Sequence, residues 1–113
     1  MMSTAPPLVI TRDQANRLQG YVQAYRHYAF ASLAPSTERN HTLRVLQAVQ
    51  GKLIEATDQK TAMLQLVLTT GEVATVKAVV TELLVLHAKQ PGSAERIATL
   101  GDLAALKSSL KGL

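Results

Sequence analysis

The chain has 113 residues, a length that fits one folded domain, and a formal net charge of +4. Its hydrophobic content of 47% is typical of a globular protein and argues against disorder. It contains no cysteine, which excludes disulfides, thiolate metal sites and cysteine nucleophiles and is compatible with a reducing cytoplasm. Residues 1–58 and 59–113 each carry six Lys/Arg and four Asp/Glu, so the mild basic excess only weakly favours a polyanionic partner.

The amino-terminal sequence MMSTAPPLVI lacks the basic and apolar regions of a signal peptide. The longest charge-poor stretch, residues 78–86, still contains Glu82 and is far shorter than the ~20 residues of a membrane-spanning helix. We therefore expect a soluble, cytoplasmic protein.

The first predicted element is the extended segment LVIT at residues 8–11, and a similar LVLT recurs at residues 66–69. One interpretation is that Ile10 and Leu68 are hydrophobic staples, each packing onto the helix that follows it. The other is that the two segments are short strands that pair as a ribbon across a pseudo-twofold axis, supported by the helices. The sequence leaves both interpretations open.

Each LVxT segment ends at a residue with the pattern of a helix N-cap. Thr11 is followed three residues later by Gln14, and Thr69 by Glu72, which is the spacing of a capping box. Apolar residues then recur at helical spacing after both threonines. For the second segment, a β-hairpin turning at residues 70–71 is the alternative, but the good helix formers after Thr11 favour helices in both places.

Four helices are predicted, near residues 12–33, 36–56, 70–89 and 93–111. Pro35 and Pro91 disfavour a helical residue before them and so end the first helix of each pair. Ser36 and Ser93 then cap the second helix. Short connections of this kind make antiparallel αα-hairpins, and residues 56–61 form the link between them.

The two halves of the chain resemble each other beyond these caps. Residues 36–53 align with residues 93–110 with eight identities in eighteen positions, more than composition alone predicts. We interpret this as an internal repeat of residues 8–58 and 66–113. The predicted fold is therefore all-α or nearly so: a single four-helix domain over residues 1–113, built from two duplicated αα-hairpins, each preceded by an extended LVxT segment.

All the aromatic residues lie within the first helix, in YVQAYRHYAF. Tyr21, Tyr25 and Tyr28 follow at i, i+4 and i+7 and share one face, which suits a binding surface. The alternative is that these tyrosines fill the bundle with their hydroxyls at its rim. Arg26 and His27 point away from this face and are the more plausible exposed contacts with a partner.

The start of the second helix has the chemistry of a DNA recognition helix. Arg39, Asn40, His41 and Arg44 are residue types that contact bases and phosphates. Against this hypothesis, the helices are long for a helix-turn-helix, and the second repeat has Ile97, Ala98 and Gly101 at the matching positions. Nucleic-acid binding is therefore the alternative function.

No cofactor, metal site or catalytic constellation is predicted. Glu38 and His41 have the i, i+3 spacing of a di-iron bundle, but the second repeat has Ala98 where a histidine is needed. The chain has no glycine-rich phosphate loop and no nucleophile elbow. These absences argue against an enzyme.

The third helix gives the clearest indication of a partner. Its sequence VATVKAVVTELLVLHAK is apolar well beyond one face, which predicts burial on several sides. Either the LVxT segments and the amino terminus cover it, or a second subunit does. Ala78, Thr81 and Val85 form a small, flat patch that a symmetry mate could approach closely. The predicted function is a non-catalytic, homodimeric interaction or adaptor module that binds a protein partner through this helix or the tyrosines.

Overall fold

The architecture is four helices and a two-stranded ribbon, in a computed structural model that describes residues 7–90, 92–111 and 113. The elements in chain order are β1 (Leu8–Thr11), α1 (Arg12–Ser32), α2 (Thr37–Thr57), β2 (Met63–Leu66), α3 (Thr70–Ala88) and α4 (Ala94–Leu110). The prediction of a nearly all-α chain with four helices is confirmed, and each helix end lies within one residue of its predicted position. The expectation for Pro91 lies outside the described residues.

Capping boxes begin both α1 and α3. The Thr11 hydroxyl accepts a hydrogen bond from the Gln14 N–H at 3.1 Å, and the Gln14 side chain accepts one from the Thr11 N–H at 2.9 Å. Thr69 and Glu72 make the same two contacts at 3.1 and 2.8 Å. A helix therefore begins at Thr70, and the β-hairpin alternative for this segment is wrong.

Serine caps begin α2 and α4, and an arginine next to each cap reaches back to the preceding helix. The Ser36 and Ser93 hydroxyls accept from the N–H groups of Arg39 and Arg96, at 3.0 and 3.2 Å. The Arg39 guanidinium donates to two carbonyls at the end of α1, and Arg96 Nη1 lies 3.1 Å from Nδ1 of His87 at the end of α3. These contacts close each tight turn.

The ribbon joins β1 to β2 in an antiparallel register, with Leu8 opposite Leu66 and Ile10 opposite Leu64. The interpretation of LVIT as a strand of a two-stranded ribbon is right, but its partner is MLQL, and only Leu66 of LVLT lies in that strand. In this register Pro7 would stand opposite Val67, and proline has no N–H to extend the ladder. The ladder therefore ends at the pair Leu8–Leu66, and β2 begins at Met63.

The core lies between the helices and one face of the ribbon. α1 packs along α2 and α3 along α4, while the ribbon lies against α1, α2 and α4. Leu8, Ile10, Leu64 and Leu66 alternate with exposed residues and point inward. The helices complete the core with Leu18, Val22, Leu46, Leu53, Val76, Val80, Leu103 and Leu106.

Polar side chains fix the outer edge of β2. The carbonyls of Met63, Gln65 and Val67 each accept a hydrogen bond from a side chain rather than from another strand. The donors are the Thr61 hydroxyl, the Gln59 amide and the Lys52 ammonium, at 2.7, 3.4 and 3.0 Å respectively.

Arg12 anchors the link between the two hairpins. From the first turn of α1, its guanidinium donates to the carbonyls of Thr57 and Gln59, and to that of Thr61 at 3.3 Å. These carbonyls lie at and after the end of α2, where no intrahelical donor reaches them. One side chain therefore fixes the path of the chain from α2 into β2.

Within the described ranges, no helix is both long enough and apolar enough to cross a membrane.

Candidate functional site

Two of the three tyrosines on α1 hold the helices together. Tyr25 is buried, and its hydroxyl donates to Glu82 Oε2 on α3 at 2.7 Å. The half-buried Tyr21 donates to Asp102 Oδ2 on α4, also at 2.7 Å. Arg17 forms an ion pair with the same Asp102 at 2.8 Å. Their rings pack within the bundle, and their hydroxyls bind carboxylates of α4 and α3.

The environment of these hydroxyls disfavours their ionisation. Burial, followed by the hydrogen bond to a carboxylate and by the charge of that carboxylate, raises the pKa of both Tyr21 and Tyr25 from 10.0 to about 12. Tyr28 differs from them because it is exposed, with its ring centroid 5.8 Å from that of Tyr25. Of the three, only Tyr28 presents a large part of its ring to solvent.

Arg26 and His27 lie in a cleft between α1 and α2. Arg26 is half-buried and donates to Gln50 Oε1 at 2.6 Å, while His27 is exposed. The cleft has a volume of about 310 Å³, at the lower end of the ~300–1,000 Å³ typical of ligand pockets. It is lined by Gln23, Arg26, His27, Phe30, Leu43 and Gln50. Sequence reasoning singled out Arg26 and His27 but missed the cleft and Phe30, because the cleft exists only once α1 and α2 are paired.

The four candidates at the start of α2 do not share one surface. Asn40, His41 and Arg44 are exposed. Arg39 is half-buried instead, and its guanidinium carbon lies 5.4 Å from the centroid of the Phe30 ring on α1. Arg39 is turned towards its own hairpin, so α2 does not present all four side chains outward as a recognition helix does.

The small patch on α3 is open to solvent. Ala78, Thr81 and Val85 are all exposed, and 47% of the Val85 surface is accessible. The opposite face of the helix is buried through Val76 and Val80. Within the described part of the chain, the ribbon does not pack against α3, so β1 and β2 do not cover this face. The amino-terminal residues 1–6, which were the other expected cover, lie outside the described residues.

A groove between α3 and α4 adjoins this patch. It has a volume of about 600 Å³, and its lining combines apolar side chains with three lysines. The lining residues are Lys77, Thr81, Leu84, Ala104, Lys107, Ser108 and Lys111. Thr81 belongs to both the patch and the groove, so α3 and α4 form one continuous surface. Sequence reasoning missed this groove, since it depends on how α4 lies beside α3.

No three His, Asp or Glu side chains come together as metal ligands would in residues 7–90, 92–111 and 113. Glu38 and His41, which have the spacing of a metal pair, gain no third ligand there. Glu72 is the buried acidic residue of this part of the chain, and it caps α3 while forming an ion pair with Lys52 at 2.5 Å.

Comparison with family models, with curated proteins and with solved structures finds no match to this chain.

Proposed function

We propose that this protein is a non-catalytic helical interaction module that forms a homodimer through α3. The observation that carries the proposal is the uncharged face of Ala78, Thr81 and Val85, which stays exposed on an otherwise apolar helix. Exposed apolar surface of this kind marks interaction sites when it is contiguous. The tyrosines are the weaker candidate for a partner surface, because two of their three hydroxyls already bind carboxylates inside the bundle.

A second copy of the chain fits this face better than an extended peptide does. Small side chains let two helix axes approach to about 8 Å, and a twofold axis places the same face on both partners. Ala74 and Ala88, also exposed, extend the patch along α3 at alternating spacings of four and three residues. This is the spacing of a helix that pairs along its length with another helix.

We also infer that the two αα-hairpins are copies of one unit. The capping boxes of α1 and α3 are 58 positions apart, and the register of the ribbon places Leu8 opposite Leu66, which is its counterpart at the same offset. A pseudo-twofold axis would then pass between these two leucines. The contacts of Arg39 with Phe30 and of Arg96 with His87 also correspond, at an offset of 57.

The dimer is tested by placing a carboxylate on the patch. Val85→Glu puts a charge into the proposed interface, and a charge buried there without a partner weakens association by at least about ten-fold. Ile54→Glu is the matched control, because Ile54 is also β-branched and helical and has 48% of its surface exposed, but lies on α2. Sedimentation velocity over a range of concentrations gives the dissociation constant of each variant.

We expect wild type and Ile54→Glu to be dimers that dissociate on dilution, and Val85→Glu to be a monomer of unchanged helix content. A wild-type protein that is monomeric at all concentrations would contradict the proposal. Equal weakening by Ile54→Glu would show that α3 is not the interface.

A further inference from the structure

We propose that the cleft between α1 and α2 binds single-stranded nucleic acid, with one base stacked on Phe30 and the neighbouring phosphates held by arginine side chains. This site lies on the first hairpin and does not depend on the proposed dimer through α3.

Phe30 is the side chain that suggests a stacking ligand. It lies in the last third of α1 with 70% of its surface exposed, more than any other large hydrophobic side chain in the described part of the chain. Arg39 lies over the ring, 5.4 Å from its centroid. The rest of the ring faces solvent at the cleft, where a flat base can stack on it.

The other walls of the cleft suit the edges and backbone of a nucleotide. Gln23 and Gln50 bring amide groups, which both donate and accept hydrogen bonds, and Leu43 supplies an apolar wall. Arg26 and His27 bring groups that bind phosphate. No acidic side chain is among the residues that line this cleft.

The charge of the protein is concentrated on this hairpin. The hairpin from Arg12 to Thr57 contains six Lys/Arg and three acidic residues, so it carries three of the four net positive charges. The rest of the chain contains six basic and five acidic residues and is nearly neutral.

Where the structure describes the chain, three arginines on this hairpin are left without side-chain carboxylate partners, as are the three lysines of the groove between α3 and α4. Arg17 and Lys52 are paired with Asp102 and Glu72 across the bundle. Arg26, Arg39 and Arg44 have no carboxylate within 4.0 Å among the described residues. Arg26 lines the cleft, and the exposed Arg44 directly follows the cleft residue Leu43, so a polyanion bound there would release counterions from both.

The exposed Phe30 ring favours single-stranded nucleic acid over a duplex or an acidic peptide. A base in a duplex is stacked within the helix and cannot reach Phe30, whereas a base of a single strand can. An acidic peptide would bind the arginines but would gain nothing from a stacking platform. A single strand uses both the ring and the charges.

The test measures binding of a fluorescently labelled oligothymidylate of about ten nucleotides by anisotropy at low salt. With three phosphates neutralised, the logarithm of the association constant should fall with the logarithm of salt concentration with a slope of about −2. Phe30→Ala and Phe30→Leu both remove the aromatic ring and should each weaken binding about ten-fold. Phe30→Tyr keeps an aromatic ring and should bind as wild type does. Ile97→Ala, at a position with 66% of its surface exposed on α4, is the matched control and should change nothing.

Arg26→Gln should weaken binding and make the salt slope shallower by about 0.7, while Lys89→Gln, the same charge change at the end of α3, should leave the slope unchanged. Circular dichroism of each variant checks that the fold is intact. The proposal is overturned if the strand does not bind at low salt, or if Phe30→Ala binds it as wild type does. Binding of a duplex or of polyglutamate as tightly as the single strand would also overturn it.

Discussion

The ion pair between Lys52 and Glu72 gives the sharpest stability prediction. Glu72 Oε1 accepts from the Thr69 N–H at 2.8 Å and from Lys52 Nζ at 2.5 Å, and its side chain is nearly buried. The capping contact contributes about 1 kcal/mol to stability. The contact with Lys52 adds roughly 1–2 kcal/mol, less than a fully buried pair because Lys52 is about one-third exposed.

We therefore expect Glu72→Ala to lower the free energy of unfolding by about 2–3 kcal/mol. Glu72→Gln keeps an acceptor for the Thr69 N–H and loses only the charge, so it should cost about 1 kcal/mol. Gln14→Ala is the matched control, since it removes the same capping contact at the start of α1, where no ion pair is formed. Urea unfolding followed by circular dichroism gives these differences.

The loss of stability at low pH provides a second test of the role of Glu72. Burial by itself would raise the pKa of Glu72, but the hydrogen bonds from Lys52 and Thr69, together with the Lys52 charge, outweigh it and leave the pKa lowered from 4.5. The stabilisation by this charge is therefore complete above pH 4.5 and is lost as pH falls through the lower folded-state pKa. Wild type should lose more stability in acid than Glu72→Gln, and identical losses would refute the role assigned to the charge.

Two further predictions concern contacts between helices. Tyr25→Phe removes the donor to Glu82 and should lower the free energy of unfolding by about 1–2 kcal/mol, whereas Tyr21→Phe should cost less, because Asp102 keeps Arg17 as a partner. Since the folded-state pKa of both tyrosines is raised to about 12, their contribution is complete below pH 10.0 and declines above it, which an alkaline titration followed by absorbance measures. If the hairpins are copies, Arg39→Ala and Arg96→Ala should each destabilise by about 1 kcal/mol in urea unfolding, and a silent substitution at either site would count against the repeat.

The helices could be predicted from the sequence because their limits are set by neighbouring residues. Each capping box forms its hydrogen bonds within one helical turn, as Thr11 does with Gln14 and Thr69 with Glu72. The start of these helices can therefore be predicted from residues that are close in the sequence. The serine caps of α2 and α4 are local in the same way. Helical spacing then extends each helix until the next turn.

The partner of β1 could not be predicted in this way, since pairing depends on a residue far along the chain. LVLT resembles LVIT more than MLQL does, yet β1 pairs with MLQL, and the Thr69 N–H of LVLT is bound by Glu72 in the cap of α3. The contacts of Arg12 with the carbonyls that follow α2 are equally remote, because they join residues 45 to 49 positions apart. No periodicity or spacing in the sequence predicts contacts between residues so far apart.

The candidate surfaces were predictable only in part. The exposure of Ala78, Thr81 and Val85 follows from their shared face on α3, which the helical period gives. Whether Tyr25 faces solvent or Glu82 depends instead on how α1 lies against α3, and the sequence left both answers open. The cleft around Phe30 required the pairing of α1 with α2, and so no residue pattern indicated it.

The side chains that occupy the carbonyls of Met63, Gln65 and Val67 have a consequence for how this protein behaves when it is concentrated. An exposed strand edge with unpaired backbone groups is a template to which a neighbouring molecule can add its own strand, and repeated addition leads to fibrils. In this protein the three carbonyls on the edge of β2 are already hydrogen-bonded to side chains of the same molecule, those of Thr61, Gln59 and Lys52. Growth of cross-β aggregates from β2 would first have to break these three contacts.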